Sequence, residues 1–153
     1  LGLGLVDLAV VSEELGRACL PGPFLAMNWA ATVIAKSGND AARKQLLPAF
    51  AEGSQKGTVA LLEQDPSWDA ANVTMTLKRD GSGGRLSGSK QMVLDAGVAD
   101  VILCVARGGE ELCLCLVRPG DAGVTITSTP GIDPTRKLCR VDLKDVLVKS
   151  EDI

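Results

Sequence analysis

Val73-Thr74-Met75-Thr76-Leu77-Lys78 places an apolar residue at every second position. In a β-strand that pattern puts Val73, Met75 and Leu77 on one face and Thr74, Thr76 and Lys78 on the other. Just beyond it, Asp80-Gly81-Ser82-Gly83-Gly84 is rich in residues that accept positive φ, and it reads as the turn into a second strand. Short apolar runs separated by turn residues continue to the end of the chain. They predict further strands at 58–62, 91–94, 101–106, 112–117, 124–128 and 138–143. Many short strands with frequent turns imply a sandwich or barrel.

Upstream of Gly57 the period is helical. Over residues 5–18 the apolar Val6, Ala9 and Val10 separate from Glu13, Glu14 and Arg17, as on an amphipathic helix, which Pro21-Gly22-Pro23 ends. Residues 24–37 are mostly apolar and long enough for a buried helix, with Gly38 to follow it. Asn39 can cap a third helix over 40–47, where Asp40 complements the positive helix end; Pro48 is expected to interrupt it and Gly53 to mark another stop. The expected fold is α+β: a short helical segment followed by an antiparallel β-sandwich or flattened barrel. Three or so helices would pack against one edge, with the 61–69 loop near them. The division falls near Gly57, giving units at 1–57 and 58–153.

Composition narrows the function. The net charge is −3 and no Lys/Arg cluster occurs, which argues against a nucleic-acid partner. The longest apolar runs are far below the ~20 residues needed to cross a bilayer, so no membrane span is expected. Residue 1 is Leu, and no signal-peptide pattern follows, so the natural start is expected to lie upstream. Five cysteines without CxxC spacing fit reduced, buried thiols and a cytoplasmic setting.

The chain has no histidine and no tyrosine, which removes Ser-His, Cys-His and His-metal chemistry. Gly83 and Gly88 bracket four residues as in a phosphate loop, but Ser89-Lys90 stands where Lys-Ser or Lys-Thr is required, in a strand-to-strand setting. Cys113 and Cys115 share a strand face and are expected to pack rather than hold a metal. Glu13-Glu14 and Glu110-Glu111 are expected on solvated surface. Trp68, in a loop beside Asp65, Pro66 and Asp69, is either a local plug or a ligand wall.

The segment Leu61-Leu62-Glu63-Gln64-Asp65-Pro66-Ser67-Trp68-Asp69 resembles the Leu-Thr-Glu-Pro-x-x-Gly-Ser-Asp segment of acyl-CoA dehydrogenases. A hairpin follows it, then Leu86-Ser87-Gly88-Ser89-Lys90, Asp95-Ala96 with Ala99-Asp100, and Thr135-Arg136 ahead of Asp145-Val146-Leu147-Val148, in family order. Upstream, Glu13-Glu14-Leu15-Gly16-Arg17-Ala18, Pro21-Gly22-Pro23-Phe24, Leu47-Pro48 and Glu52-Gly53 look like the last helices of the family's amino-terminal domain.

The resemblance implies an amino-terminal helical domain and a middle β-domain, without the carboxy-terminal helical bundle that completes the enclosure of FAD and an acyl-CoA thioester. It implies an α,β-dehydrogenation, in fatty acid or steroid side-chain oxidation, in which a base removes the α-proton and the β-hydride passes to flavin. The family's catalytic glutamate usually lies in that bundle, so no catalytic residue and no metal ligand is assigned here. The fragment is expected to be inactive, with the surface that meets the bundle exposed. By position, Leu62, Glu63, Met92, Val93 and Leu94 fall on the cofactor side, and Ser67, Trp68 and Asp69 on the substrate side.

The departures are specific. Two flavin-bonding threonines of the family fall on Leu62 and Leu94, which have no side-chain donor. The aromatic residue against the flavin falls on Met92, and the Gly-Ser pair beside the acyl-CoA falls on Ser67-Trp68. Backbone N–H groups remain as donors. Three readings follow: part of an acyl-CoA dehydrogenase subunit in a homo- or hetero-oligomer, either active or as the non-catalytic structural half of a heteromer; a flavin-dependent oxidase or monooxygenase of the same fold; or a non-enzymatic binding module.

Overall fold

A computed structural model describes residues 4–81 and 83–153; Ser82, in the expected turn, lies outside the described residues. Three helices come first: α1 (Leu5–Arg17), α2 (Phe24–Lys36) and α3 (Asp40–Glu52). Asn39 caps α3 as expected, its side chain accepting a hydrogen bond from the Ala42 N–H at 2.9 Å. Pro48 does not interrupt α3, which runs on to Gly53 at φ 72°. The lost N–H bond is offset because Leu46 and Phe50, on either side of the proline, are both buried.

Seven strands follow: β1 (Gly57–Ala60), β2 (Thr76–Asp80), β3 (Gly83–Leu94), β4 (Val101–Gly108), β5 (Glu111–Val117), β6 (Val124–Thr129) and β7 (Leu138–Lys149). They form one sheet in the order β1-β4-β2-β3-β7-β6, with β5 along the other edge of β4. The expected turn joins β2 to β3, with Asp80 opposite Gly83. The alternation at 73–78 is real, since Val73, Met75 and Leu77 are all buried, but ladder pairing begins only at Thr76. β3 and β7 are each 12 residues long, longer than their apolar runs suggested, because charged and small residues on the outer face continue the pairing.

The sheet is mixed where antiparallel pairing was expected throughout. β1 runs parallel to β4, with Gly57 opposite Val101 and Ala60 opposite Cys104, and β2 touches β4 in the same sense at Thr76 and Arg107. Side-chain alternation fixes which face a residue takes, not the direction of its neighbour, so this feature is invisible in a single strand's pattern.

Two cores meet across β4. Ile102, Cys104 and Ala106 face the inside of the curled sheet with Leu86, Val93, Cys115, Val141 and Val146. Val101 and Leu103 face the other way, against Ala30 and Ile34 of α2 and Leu46 and Phe50 of α3. Burial on both faces explains why this strand reads as an unbroken apolar run. By contrast, α1 buries none of its side chains. Four of the five cysteines lie in the sheet, wholly or partly buried, while Cys19 is exposed after α1; none is disulfide-bonded. Among the described residues no helix is long and apolar enough to cross a membrane.

Gly57 lets β1 approach the helices. A Cβ there would sit 2.5 Å from Phe50 Cζ and 2.9 Å from the Ala30 Cβ. Gly57→Ala is therefore expected to lower unfolding free energy by about 1–3 kcal/mol, read as a reduced urea midpoint at unchanged slope.

Candidate functional site

Between β1 and β2, residues 61–75 cross the end of the sheet with only a short 3-10 turn, Ala70–Asn72. What holds this loop is a buried lysine. Lys90 of β3 has no exposed side-chain surface; its ammonium donates to Glu63 Oε1 at 2.7 Å and to the Leu61 carbonyl at 3.1 Å. Glu63 also accepts from the Thr74 N–H at 3.0 Å, the Met75 N–H at 2.9 Å and the Thr74 hydroxyl. Burial pushes the Glu63 carboxyl up, but these donors together outweigh it and hold the group at about 2. Arg107 fixes the far end of the loop, donating to the carbonyls of Val73 at 2.7 Å and Ala71 at 2.6 Å.

The facing strand is irregular. Pairing of β3 with β7 skips between Lys90 and Val93, so Gln91 and Met92 bulge out. Met92 adopts φ 49° and Asp95 φ 53°, a left-handed conformation that costs a non-glycine residue about 1–3 kcal/mol. The bulge is pinned on both sides: the Gln91 N–H donates to the Leu62 carbonyl at 2.8 Å, and the buried Thr58 hydroxyl donates to the Leu94 carbonyl at 2.6 Å.

Loop, bulge and α2 enclose a cavity of about 380 Å³. Leu25, Trp29 and Val33, each four apart and so on one face of α2, form one wall. Leu62, Met92, Leu94 and Leu138 line it from the sheet side, and Trp68, largely exposed, stands at its rim. The Trp68 ring meets Trp29 edge to face, centroids 6.2 Å apart at 86°. Gln91 and Arg136 are the polar lining residues, and Gln91 Nε2 already donates to Ser89 Oγ at 3.1 Å. Beside the mouth, burial pushes the Asp95 carboxyl up, partly countered by the charges of Arg136 and Lys137.

Of the residues nominated from sequence, the structure brings Leu62, Met92, Leu94 and Trp68 together around this cavity. Glu63 is turned into its ion pair with Lys90, and Val93 points into the sheet interior. Ser67 and Asp69 order the loop: the Ser67 hydroxyl accepts from Asn72 Nδ2 at 2.8 Å, and Asp69 Oδ1 accepts from the Ala71 N–H at 2.9 Å. Trp29 and Lys90 were missed. Both carry a signal, Trp29 in the four-residue stripe of α2 and Lys90 at the inward parity of β3 shared with Leu86, where a cation requires a partner.

A polar groove of about 930 Å³ lies on the other side of the loop, but Arg107 is committed to loop carbonyls and Arg85 to Asp145 at 2.9 Å. Among the described residues no group of three or more His, Cys, Asp or Glu could hold a metal ion.

The cavity can be tested against the implied cofactor. Its volume falls within the range of about 300–1,000 Å³ seen for ligand pockets, and its apolar walls suit the face of a planar ring. An isoalloxazine also carries nitrogen and oxygen atoms along its edge, and Leu62, Met92 and Leu94 offer no side-chain donor to them. These three side chains fit the ring's face and not its polar edge.

Residues 58–146 match the acyl-CoA dehydrogenase middle domain, and residues 1–54 match the acyl-CoA dehydrogenase N-terminal domain. Acyl-CoA dehydrogenase FadE12 of Mycobacterium tuberculosis is 32% identical over 136 residues, covering 88% of this chain and 34% of that protein. Among solved structures, the ChsE4-ChsE5 complex from Mycobacterium tuberculosis superposes with TM-score 0.88 at 24% identity, over 99% of this chain and 40% of that one. A variant of the Tcur3481-Tcur3483 steroid ACAD superposes with TM-score 0.84 at 34% identity, over 97% and 40%. The chain spans about a third of the length of the curated relatives it matches. With both of its parts matched in order, the chain belongs to the acyl-CoA dehydrogenase family.

Proposed function

We propose that this chain, with 1–57 as the end of an amino-terminal helical domain and 58–153 as a middle β-domain, serves as the structural half of a heteromeric acyl-CoA dehydrogenase. The assembly's reaction is FAD-dependent α,β-dehydrogenation of an acyl-CoA thioester, in a cytoplasmic setting, and the partner subunit carries the chemistry. The observation behind this reading is the wall of Leu62, Met92 and Leu94, three positions on the cofactor side that offer no side-chain donor to a flavin edge. Trp68, where the family has a small residue on the substrate side, narrows the mouth further against Trp29. The resemblance to a complex of two differently named chains supports a heteromer.

The test is an FAD titration of the longer parent protein, alone and co-purified with a candidate partner subunit, followed by visible flavin absorbance. Flavin retained only in the presence of the partner is the expected result. Stoichiometric FAD on the parent alone, bleached by acyl-CoA, overturns it and makes the parent a dehydrogenase that binds its cofactor through backbone N–H groups.

A further inference from the structure

We propose that Cys113, beside the turn from β4 to β5, is a thiol-modification site for a small disulfide that carries negative charge, with Arg79 as the anchor for that charge. Cys113 and Cys115 are two apart on β5 and share a face, their Sγ atoms 4.0 Å from each other, and Cys115 stands opposite Cys104 of β4. The three thiols differ in their surroundings. Cys104 and Cys115 have no exposed surface, whereas Cys113 is only partly buried, at the margin of the inner core, with its thiol donating to the Ala106 carbonyl at 3.4 Å. Burial first, and the neighbouring Cys113 after it, push the Cys115 thiol well above its ordinary range, and burial pushes Cys104 up to about 12. Both stay protonated packing groups, and Cys113 is the member of the cluster within reach of solvent.

A cation stands beside it. Arg79 of β2 shares the inward parity of Leu77, and its guanidinium leans over Gly108. A Cβ on that glycine would lie 3.4 Å from Arg79 Nε and Nη2 and 3.5 Å from Cys113 Sγ, so glycine leaves one space bordered by a thiol and a guanidinium. Among the described residues Arg79 makes no ion pair, whereas Arg85 of β3 is held by Asp145 at 2.9 Å. Asp80, the next residue, takes the opposite face by strand alternation. A partly exposed thiol in an electropositive setting favours the reactive thiolate, and an unpaired guanidinium binds a carboxylate or phosphate on the incoming molecule.

The exchange balances without a further reagent. Cys113 gives its proton to water, its thiolate attacks one sulfur of the disulfide, and the reagent's S–S bond breaks as the Cys113–sulfur bond forms. Cys113 is oxidised, and the departing half is reduced and takes up a proton. Strand spacing of about 3.3 Å per residue holds the Cα atoms of Cys113 and Cys115 near the upper limit for a disulfide. Cys115 is therefore badly placed to displace the new group, and the mixed disulfide persists.

The test treats the longer parent protein at neutral pH with dithiodipropionate, hydroxyethyl disulfide and cystamine, whose ends are negative, neutral and positive. Adducts are located and timed by peptide mapping with mass spectrometry. Cys113 should be modified ahead of Cys104, Cys115 and Cys139, fastest with dithiodipropionate and slowest with cystamine. Arg79→Gln should lower the dithiodipropionate-to-cystamine rate ratio at Cys113 by roughly fivefold, and Arg79→Lys, which keeps the charge, should restore most of it. An adduct on Cys115 in place of Cys113, no preference over the buried cysteines, or a ratio unmoved by Arg79→Gln overturns the proposal. So does a ratio that falls equally in Arg79→Lys, which marks a distorted strand end and not a lost charge. No flavin or partner subunit enters this readout, so its outcome is independent of the flavin titration.

Discussion

Lys90→Met should be among the most destabilising single changes in this chain. It removes the ammonium that neutralises Glu63 and ties the Leu61 carbonyl, in a place with no exposed side-chain surface at Lys90 and only 13% at Glu63. Breaking a buried pair from one side typically costs about 3–5 kcal/mol, because the remaining charge stays buried without its counterion. Urea unfolding measures this directly, and adding Glu63→Gln to the variant should recover part of the loss. The pH dependence gives a second handle. The Glu63 carboxyl is held at about 2 in the folded chain against an ordinary value of 4.5. Its contribution is therefore complete above pH 4.5 and fades as pH falls toward 2, on the order of 3 kcal/mol in all. In Lys90→Met that acid limb should shrink. A variant within 1 kcal/mol of the parent, with the limb intact, would mean that Glu63 draws its stabilisation from the Thr74 hydroxyl and the Thr74 and Met75 N–H groups alone.

The same pair shows what the sequence could and could not disclose. Strand alternation at 73–78 and the apolar run at 101–106 set faces and burial correctly, because those depend on side-chain period, whereas the run at 112–117 is buried only at its end, with Leu112 exposed. Partner direction depends on which strand the chain returns to, and so the parallel β1–β4 pairing had no local signature. Helix α3 continued past Pro48 because tertiary burial of Phe50 outweighed a local rule. The cavity was half legible. Leu62, Met92, Leu94 and Trp68 came from position within the family motifs, whereas Trp29 lies 33 residues before Leu62, and only the packing of α2 beside β1 brings it there. Glu63 was nominated as a cofactor residue, and the structure gives it an inward partner that a linear motif cannot name.

Leu62→Thr combined with Leu94→Thr should raise FAD affinity. Each hydroxyl returns one donor to the cavity wall, and a hydrogen bond worth about 0.5–1.5 kcal/mol net, made twice, corresponds to roughly tenfold to hundredfold in dissociation constant. The substitutions have a stability cost, since Leu62 is only 5% exposed and loses apolar contact, on the order of 1–3 kcal/mol. Leu62→Val with Leu94→Val is the matched control, because valine has threonine's shape without the hydroxyl and carries nearly the same packing loss. Equilibrium dialysis with flavin absorbance, in the longer parent protein, then separates two physical causes. A gain confined to the threonine pair means that missing donors limit flavin binding, as proposed. An equal gain in the valine pair means that leucine bulk was the obstacle and donors are secondary. No gain in either transfers the blame to Trp68 and Met92, whose side chains occupy the mouth and the bulge, and adding Trp68→Gly to the threonine pair is then the variant that should open the cavity to the ring.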